Sequence, residues 1–221
     1  MNLSKQSNYF LSRRNKQAGA GLIIFFLVLV LAFSTYIISL FDSNSVKFEQ
    51  DERASLTLSN AKSAVIGYAV KAATVSSSGF LPNPDMGIGT EGSAAGSFSG
   101  NAADLSLIGK LPWATLGLPV SKDHSGECIW YVVSGRFKNS PKTAILNWDT
   151  QGQIDVIDDN GNIIAQNLAA LIVSPGRLLN GQSHVLDDPD FVQCGGNYNA
   201  QNYLDSFSAS NAIAGEVNYF V

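Results

Sequence analysis

The sequence predicts an α+β protein in which a long N-terminal helix, half transmembrane and half amphipathic, packs on a mostly antiparallel β-sheet. Helical patterns fill the N-terminal part of the 221-residue chain, where no proline occurs before residue 82. Short segments rich in aromatic and β-branched residues follow beyond Leu105. Charge divides the chain as well, because residues 1–19 are basic, residues 20–41 are uncharged and residues 42–221 carry all 18 acids. The net charge of −4 disfavours a nucleic-acid-binding protein.

The first element is a predicted transmembrane helix over residues 20–41. Its 22 uncharged residues exceed the ~20 needed to cross a bilayer, and they show no polar face. Four basic residues and no acid lie in the leader, residues 1–19, immediately before the apolar stretch, which predicts a single-pass inner-membrane protein with a cytoplasmic N-terminus and a periplasmic body. A cleaved secretory signal is the alternative, but its apolar stretch would be shorter and a small-residue cleavage site would follow it.

The junction of the leader and the apolar helix carries a more specific pattern. A glycine precedes the sequence Ala20-Gly21-Leu22-Ile23. This resembles the type IV prepilin signal, which implies cleavage by prepilin peptidase after Gly19 and a mature N-terminus at Ala20, often methylated. Gly21 leaves open a cut two residues later. Ile24 stands where most pilins have glutamate, and the absence of that carboxylate removes one force that draws a subunit into a filament.

Residues 42–78 are predicted to continue the helix beyond the membrane. Apolar side chains recur at intervals of three and four residues, which is the period of one helix face: Ala54, Leu58, Ala61, Val65, Tyr68 and Ala72. We expect one helix from about Ala20 to Thr74, with Gly79 as the stop signal. Two helices joined at residues 42–45 remain an alternative, because Asp-Ser-Asn-Ser favours turns.

Residues 79–221 are predicted to form a globular β-rich domain. Residues 79–104 are rich in glycine and serine and predict a long surface loop. Gly87–Gly92 fits the G-x-G-x-x-G pattern, but prolines rather than a strand precede it, so we reject a dinucleotide site. Strands are expected at residues 128–134, 142–148, 152–157, 162–166, 167–173 and 216–221, with a tight turn at residues 159–161.

A second resemblance covers most of the chain. Its residues are the helix end at 61–69, a Leu-Pro-Trp-x-Thr-Leu-Gly-Leu-Pro block at 111–119, an acid-x-x-Gly-Glu turn at 123–127, a Trp-Tyr strand from residue 130, Ser-Pro-Gly at 174–176 with Gln182, and 202–205. Together they resemble a group of prepilin-like or minor-pilin-like proteins of Gram-negative bacteria, which implies a pilin-like fold. Asn83 replaces a cysteine that these proteins often carry, so a disulfide at that position is absent.

The residues of the Leu-Pro-Trp block favour a packing role over a binding role. Prolines fix φ at both ends, a glycine permits a turn, and the large apolar side chains can bury wide areas. The structural block comprises Leu111, Pro112, Trp113, Leu116, Gly117 and Pro119, together with Trp130 and Tyr131 of the following strand.

Two cysteines, Cys128 and Cys194, lie in the domain assigned to the periplasm. An oxidising compartment favours a disulfide between them. Two separate thiols are the alternative, although neither belongs to a C-x-x-C redox motif.

The sequence predicts no catalytic or metal site. Asp123, His124 and Ser125 are the residue types of a hydrolase triad, but we expect adjacent residues not to reach triad geometry. Zinc would need three or four His or Cys ligands at motif spacing. Calcium is the one ion with weak candidates, since oxygen-rich turns are its usual ligands. They are Asp155, Asp158, Asp159 and Asn160, with a second acidic group at Asp187, Asp188 and Asp190.

Together these observations predict a non-enzymatic, pilin-like structural subunit of a type IV pilus or a type II secretion filament. The implied partners are the lipid bilayer, prepilin peptidase and other pilin-like subunits, with no cofactor and no small-molecule substrate. The alternative is a signal-anchored periplasmic protein that binds a partner without polymerising.

Overall fold

A computed structural model of the protein describes residues 18–71, 78–143, 145–158, 160–204 and 218–220. The chain divides into two compact units, residues 1–49 and residues 50–221. An α+β architecture is present, as predicted. Its elements are helix α1 (Ala18–Lys71), strands β1 (Leu107–Lys110), β2 (Trp130–Val133), β3 (Ile154–Ile157), β4 (Ile163–Leu168), β5 (Ala170–Val173) and β6 (Asn218–Phe220), and a 3₁₀ helix (Ala200–Asn202).

The N-terminal part of α1 contains an apolar stretch long enough to span a membrane. It covers Gly19–Ile38, 20 residues with a mean hydropathy of 2.7, and none of this stretch is buried inside the protein. The predicted span, residues 20–41, overlaps it closely. Since α1 continues through residues 42–45 without a break, the alternative of two helices joined there is not observed. The predicted helix end at Thr74 lies outside the described residues.

The C-terminal part of α1 buries the predicted stripe. Ala61 and Val65 are 0% and 5% exposed, and they belong to the main apolar core together with Ile129 and Tyr131. Leu58 and Tyr68 are half-buried, whereas Ala72 lies outside the described residues. Gly79, the predicted stop signal, has a φ of +84°. Its N–H donates to the carbonyl oxygen of Ala69 at 3.1 Å and so satisfies one of the last helical carbonyls.

One sheet lies at the centre of the body, with β2 between β1 and β5 and both pairings antiparallel. All four residues of β2 are buried because apolar clusters cover both of its faces. Tyr131 and Val133 face the cluster that includes α1. Trp130 and Val132 face a second cluster with Ile154 of β3. Alternation along a strand places successive side chains in different cores.

The second sheet has the order β4-β3-β6. The pairing of β3 with β4 is antiparallel and irregular in register, whereas β3 and β6 are parallel. The N–H of Gly161 donates to the carbonyl oxygen of Asp158 at 2.8 Å, which closes the predicted turn, although Asp159 lies outside the described residues. The prediction of a mostly antiparallel arrangement is therefore confirmed, with one parallel pair.

Two strand predictions are wrong. No strand forms among the described residues of 142–148, where Trp148 is 97% exposed and a turn joins Asn147 to Thr150 through a side-chain hydrogen bond of 2.6 Å. The expected single strand at 167–173 is instead the end of β4 and the whole of β5, in different sheets. Asn167, the next-to-last residue of β4, has a φ of +58°, which asparagine tolerates better than most residues.

The prediction of a surface loop at residues 79–104 is wrong in part. The segment is irregular, but its first section is buried: Phe80, Leu81, Asn83 and Asp85. Its backbone groups find partners in the body, since the Leu81 N–H donates to the Phe137 carbonyl oxygen at 2.7 Å. An irregular segment can be buried when neighbouring elements satisfy its backbone in this way.

Candidate functional site

The Leu-Pro-Trp block forms the loop that follows β1. The N–H of the buried Leu111 donates to the Ile129 carbonyl oxygen at 2.8 Å, which ties the block to the chain entering β2. Trp113 lies directly over Gly92, because a Cβ built on that glycine would be 2.2 Å from Trp113 Cε2. The Gly92 carbonyl oxygen in turn accepts the Ala114 N–H at 2.9 Å. The block therefore holds the loop that contains Gly92.

The remaining members of the block differ in burial. Pro112 is buried and Leu116 half-buried against the main core, whereas Gly117 and Pro119 are exposed. Gly117 has a φ of +71°, as its predicted turn role requires. Trp130 and Tyr131 on β2 are fully buried. These intramolecular contacts support a packing role for the block.

A buried carboxylate lies beside the block. Asp85 is 0% exposed and accepts the N–H groups of Gly87 and Gly92 at 3.0 and 2.7 Å, and the Tyr198 hydroxyl at 2.9 Å. Burial raises its pKa, while these hydrogen bonds and the charge of Lys110 act in the opposite direction. The first and last glycines of 87–92, the segment that matches the G-x-G-x-x-G pattern, thus donate backbone hydrogen bonds to Asp85 of the same chain.

Lys110 is the cation that faces this acid, and it is 2% exposed. Its Nζ donates to the Gly195 carbonyl oxygen at 2.6 Å and lies 4.2 Å from the ring centroid of Tyr198. Burial lowers the pKa of Lys110, and the charges of Asp85 and Glu91 oppose that effect. Burial, followed by the charge of Asp85, also raises the pKa of Tyr198. The network connects β1 to the C-terminal loop.

Glu91 connects the same loop to the disulfide. Its carboxylate accepts the N–H groups of Gln193 and Cys194 at 2.9 and 2.5 Å. Cys194 is bonded to Cys128, with 5.4 Å between their Cα atoms, and the chain has no free cysteine. The predicted disulfide is confirmed, and the alternative of two separate thiols is wrong.

Asp123 organises the acid-x-x-Gly-Glu turn. One carboxylate oxygen accepts the N–H groups of Ser125 and Glu127 at 2.8 and 3.1 Å. The other accepts the Ser174 hydroxyl at 3.0 Å and the Gly176 N–H at 2.8 Å. The Asp123 carboxylate therefore connects the acid-x-x-Gly-Glu turn at 123–127 to the Ser-Pro-Gly segment at 174–176.

Of the three triad residue types, only His124 and Ser125 are found in side-chain contact with each other in the described part of the chain. Ser125 Oγ lies 3.2 Å from His124 Nε2. The Asp123 carboxylate, however, is occupied by backbone groups and by Ser174, and no contact between it and the imidazole is found among the described residues. The three residues therefore do not form the relay that a hydrolase triad requires.

His184 connects the turn at 123–127 to the segment at 202–205, and the sequence did not indicate this connection. Its Nδ1 lies 2.9 Å from Glu127 Oε1 and its Nε2 lies 2.8 Å from the Asn202 carbonyl oxygen. The imidazole stacks on Tyr203 with a centroid distance of 4.0 Å, and Tyr203 in turn contacts Trp130 at 5.0 Å. A lone histidine 57 residues from its carboxylate partner carries no local sequence signal.

Lys138 is a second buried lysine that sequence reasoning missed. Its Nζ donates to Asn101 Oδ1 and to the carbonyl oxygens of Ala102 and Leu105, at 2.5, 2.5 and 2.8 Å. Burial lowers its pKa to about 8, and the charge of Asp104 opposes the shift. The ammonium group holds an irregular segment in place, as a structural cation does.

Two of the weak calcium candidates, Asp155 and Asp158, accept hydrogen bonds from backbone and amide groups of the β3–β4 hairpin. Asp155 Oδ1 accepts the Asn167 N–H at 2.8 Å. Asp158 accepts the N–H groups of Asn160 and Asn162 at 2.9 and 2.7 Å, and its pKa is lowered, chiefly by the side chain of Asn162. Asp159 lies outside the described residues.

The second acidic group behaves in the same way. There, Asp188 Oδ1 accepts the Asp190 N–H at 2.9 Å, while Asp187 is exposed. In the described part of the chain, no three His, Cys, Asp or Glu side chains are grouped so that they could hold a metal.

The predicted processing residues lie at the exposed start of α1. Gly19, Ala20 and Ile24 are all exposed, and a Cβ on Gly19 or on Gly21 would meet nothing within 4 Å. Both cut positions are therefore equally accessible, and the choice between them stays open.

A cleft of about 720 Å³ lies between the C-terminal half of α1 and the Leu-Pro-Trp block. Its lining includes Tyr68, Lys71, Thr115 and Asn139, with no carboxylate, histidine or cysteine among the described lining residues. No family model, curated protein or solved structure matches the chain.

Proposed function

We propose that this protein is a membrane-anchored, pilin-like structural subunit, a minor pilin or pseudopilin of a type IV pilus or type II secretion filament. In this proposal, prepilin peptidase cuts the chain after Gly19 and the apolar helix remains in the inner membrane. The body lies in the periplasm and reaches the cell surface if the filament does. Lipid, the peptidase and other pilin-like subunits are its partners.

The observation that carries the proposal is the two-part character of α1. Its N-terminal stretch, Gly19–Ile38, is apolar and unburied. Its C-terminal stretch buries Ala61 and Val65 in the core of the body. One helix that serves both as a membrane anchor and as part of a folded domain is the arrangement that the resemblance to pilins implies.

The polar network of the body supports a structural role. Three carboxylates of the body accept hydrogen bonds from backbone N–H groups and side chains of neighbouring loops: those of Asp85, Glu91 and Asp123. Such fully bonded groups stabilise irregular segments and leave little capacity for proton transfer to a substrate. The disulfide supports a location in an oxidising compartment, as the positive-inside rule also predicts.

The mature N-terminus tests this function. We expect mass spectrometry of the detergent-extracted protein to show a chain that starts at Ala20 when prepilin peptidase is present and at Met1 when it is absent. Gly19→Leu and Gly21→Leu form a matched pair, because both glycines are exposed with open space around them. Only Gly19→Leu should block cleavage. An intact chain in the presence of the peptidase would overturn the proposal.

A second function is favoured by Ile24, which lacks the carboxylate of most pilins. It is a signal-anchored periplasmic protein that binds a partner and does not polymerise. Shearing cells and sedimenting the released filaments separates the two functions. The filament subunit would sediment with sheared filaments, whereas the non-polymerising protein would stay with the membrane fraction.

A further inference from the structure

The chain contains the dipeptide Asn-Gly twice, at Asn160-Gly161 and at Asn180-Gly181. All four residues are exposed, and each dipeptide lies in a tight turn. The two sites are alike in residue type and solvent access, but they occupy different positions in their turns.

Asn-Gly is the dipeptide in which the chain can most readily attack its own side chain, because glycine has no Cβ to hinder the approach. The glycine nitrogen loses its proton and forms a bond to the asparagine side-chain carbonyl carbon. The C–N bond to the amide breaks, ammonia leaves, and a five-membered succinimide remains. Water then opens the ring to aspartate or isoaspartate. The step requires a glycine N–H that is not engaged in a hydrogen bond.

At the first site that N–H is engaged. Gly161 is the last residue of its turn, and its N–H donates to the Asp158 carbonyl oxygen at 2.8 Å. The Asn160 N–H donates to the Asp158 side chain at 2.9 Å, and the turn is fixed by the pairing of β3 and β4 on either side. Attack by Gly161 would break the hydrogen bond that closes the turn.

At the second site the N–H lies in the middle of the turn. The Gln182 N–H closes this turn by donating to the Leu179 carbonyl oxygen at 3.1 Å, and Gln182 Oε1 accepts the Leu179 N–H at 3.0 Å. Gly181 has a φ of +95°, as expected for the third position of a type II turn, and its surroundings are open. Among the described residues, neither the Gly181 N–H nor the Asn180 carboxamide has a hydrogen-bond partner.

We propose that Asn180 is a site of spontaneous deamidation and that the β3–β4 turn protects Asn160. Reaction at Asn180 adds one negative charge to an acidic body. Isoaspartate also adds a methylene group to the main chain just before Ser183 and His184, which are held by Asn197 and Glu127. The modification is independent of the assembly in which the protein takes part.

The test incubates the purified full-length protein in detergent at mildly alkaline pH and follows both dipeptides by peptide mass spectrometry. We expect Asn180 to convert about tenfold faster than Asn160, which is the effect of one engaged hydrogen bond. Asn180→Gln should remove the fast product and Asn160→Gln should leave it unchanged. Anion-exchange chromatography should show the added negative charge in the wild type and in Asn160→Gln, and not in Asn180→Gln.

The reduced, denatured chain provides the control that isolates the fold. There both dipeptides lack turn structure, and we expect their rates to converge. Equal rates in the folded protein, or faster conversion at Asn160, would overturn the proposal. A difference that persists after denaturation would also overturn it, because the flanking sequence rather than the turn would then be its cause.

Discussion

The apolar stretch of α1 and the body invert the usual relation between polarity and burial. In Gly19–Ile38 the side chains are apolar and none of the stretch is buried in protein. In the body, Asp85, Lys110 and Lys138 are charged residue types and almost fully buried. An apolar helix without protein contacts suits a hydrocarbon environment, whereas buried charged groups require hydrogen-bonding partners.

The difference teaches that exposure and burial have meaning only relative to the available partners. An apolar helix without protein contacts satisfies its backbone internally and needs only a hydrocarbon environment. A buried charge needs several partners at hydrogen-bond distance, and Asp85 has three such bonds. A substitution that removes the partners of a buried charge, or that places a charge in the apolar stretch, should therefore cost free energy of unfolding or of membrane insertion. A substitution at an exposed site of the body should cost little.

The largest effect is expected from Asp85→Ala. The substitution leaves the N–H groups of Gly87 and Gly92, the Tyr198 hydroxyl and the charge of Lys110 without their shared partner. We expect a loss of about 3–5 kcal/mol in the free energy of unfolding, measured by urea titration of tryptophan fluorescence. The control Asp149→Ala, at an exposed site, should change it by less than about 0.5 kcal/mol. Equal losses would contradict the proposed role of the network.

The disulfide should come next. Its cysteines are 66 residues apart, and replacing both by serine should cost about 4 kcal/mol if chain entropy dominates. The same urea titration measures this loss. Because Glu91 also holds the backbone of Cys194, Glu91→Gln in the serine variant should cost more stability than in the wild type. Additive losses would show that the two constraints act independently.

If the apolar stretch Gly19–Ile38 spans the membrane as proposed, a charge within it should have a smaller effect and a different readout. Val28→Arg places a charge near its middle, which should cost about 3 kcal/mol of insertion free energy. Membrane fractionation should show less of this variant in the membrane. Leu56→Arg, at an exposed position in the C-terminal half of α1, should fractionate as the wild type does. If both variants were distributed identically between the membrane and soluble fractions, the proposal that only the N-terminal stretch of α1 anchors the protein would be contradicted.

The smallest effect is a pH dependence set by Lys138. Burial lowers its pKa from 10.5 to about 8, so between these values the unfolded chain holds a proton that the folded chain has lost. Stability contributed by this group therefore rises with pH across that window and is constant below it. The unfolding free energy of the wild type should rise relative to Lys138→Met as the pH passes from 8 to 10.5. Parallel curves for the two proteins would contradict the shift.

Local sequence predicted the elements whose signals are local. The apolar stretch and the buried stripe of α1 follow from composition and period, and α1 begins two residues before the predicted start at Ala20. The β3–β4 hairpin follows from its turn residues. The strand expected at 142–148 failed because a suitable pattern forms a strand only where another strand is available to pair with it.

The sequence by itself determined the division into a basic leader, an apolar helix and an acidic β-rich body, because charge and hydropathy are properties of the residues themselves. It also determined which cysteines could pair, since there are only two. Tertiary structure alone decided that Lys110 and Lys138 are buried, that His184 meets Glu127, and that β4 and β5 belong to different sheets. These outcomes depend on groups brought together from distant parts of the chain, and a charged residue is buried only where such partners offset its loss of water.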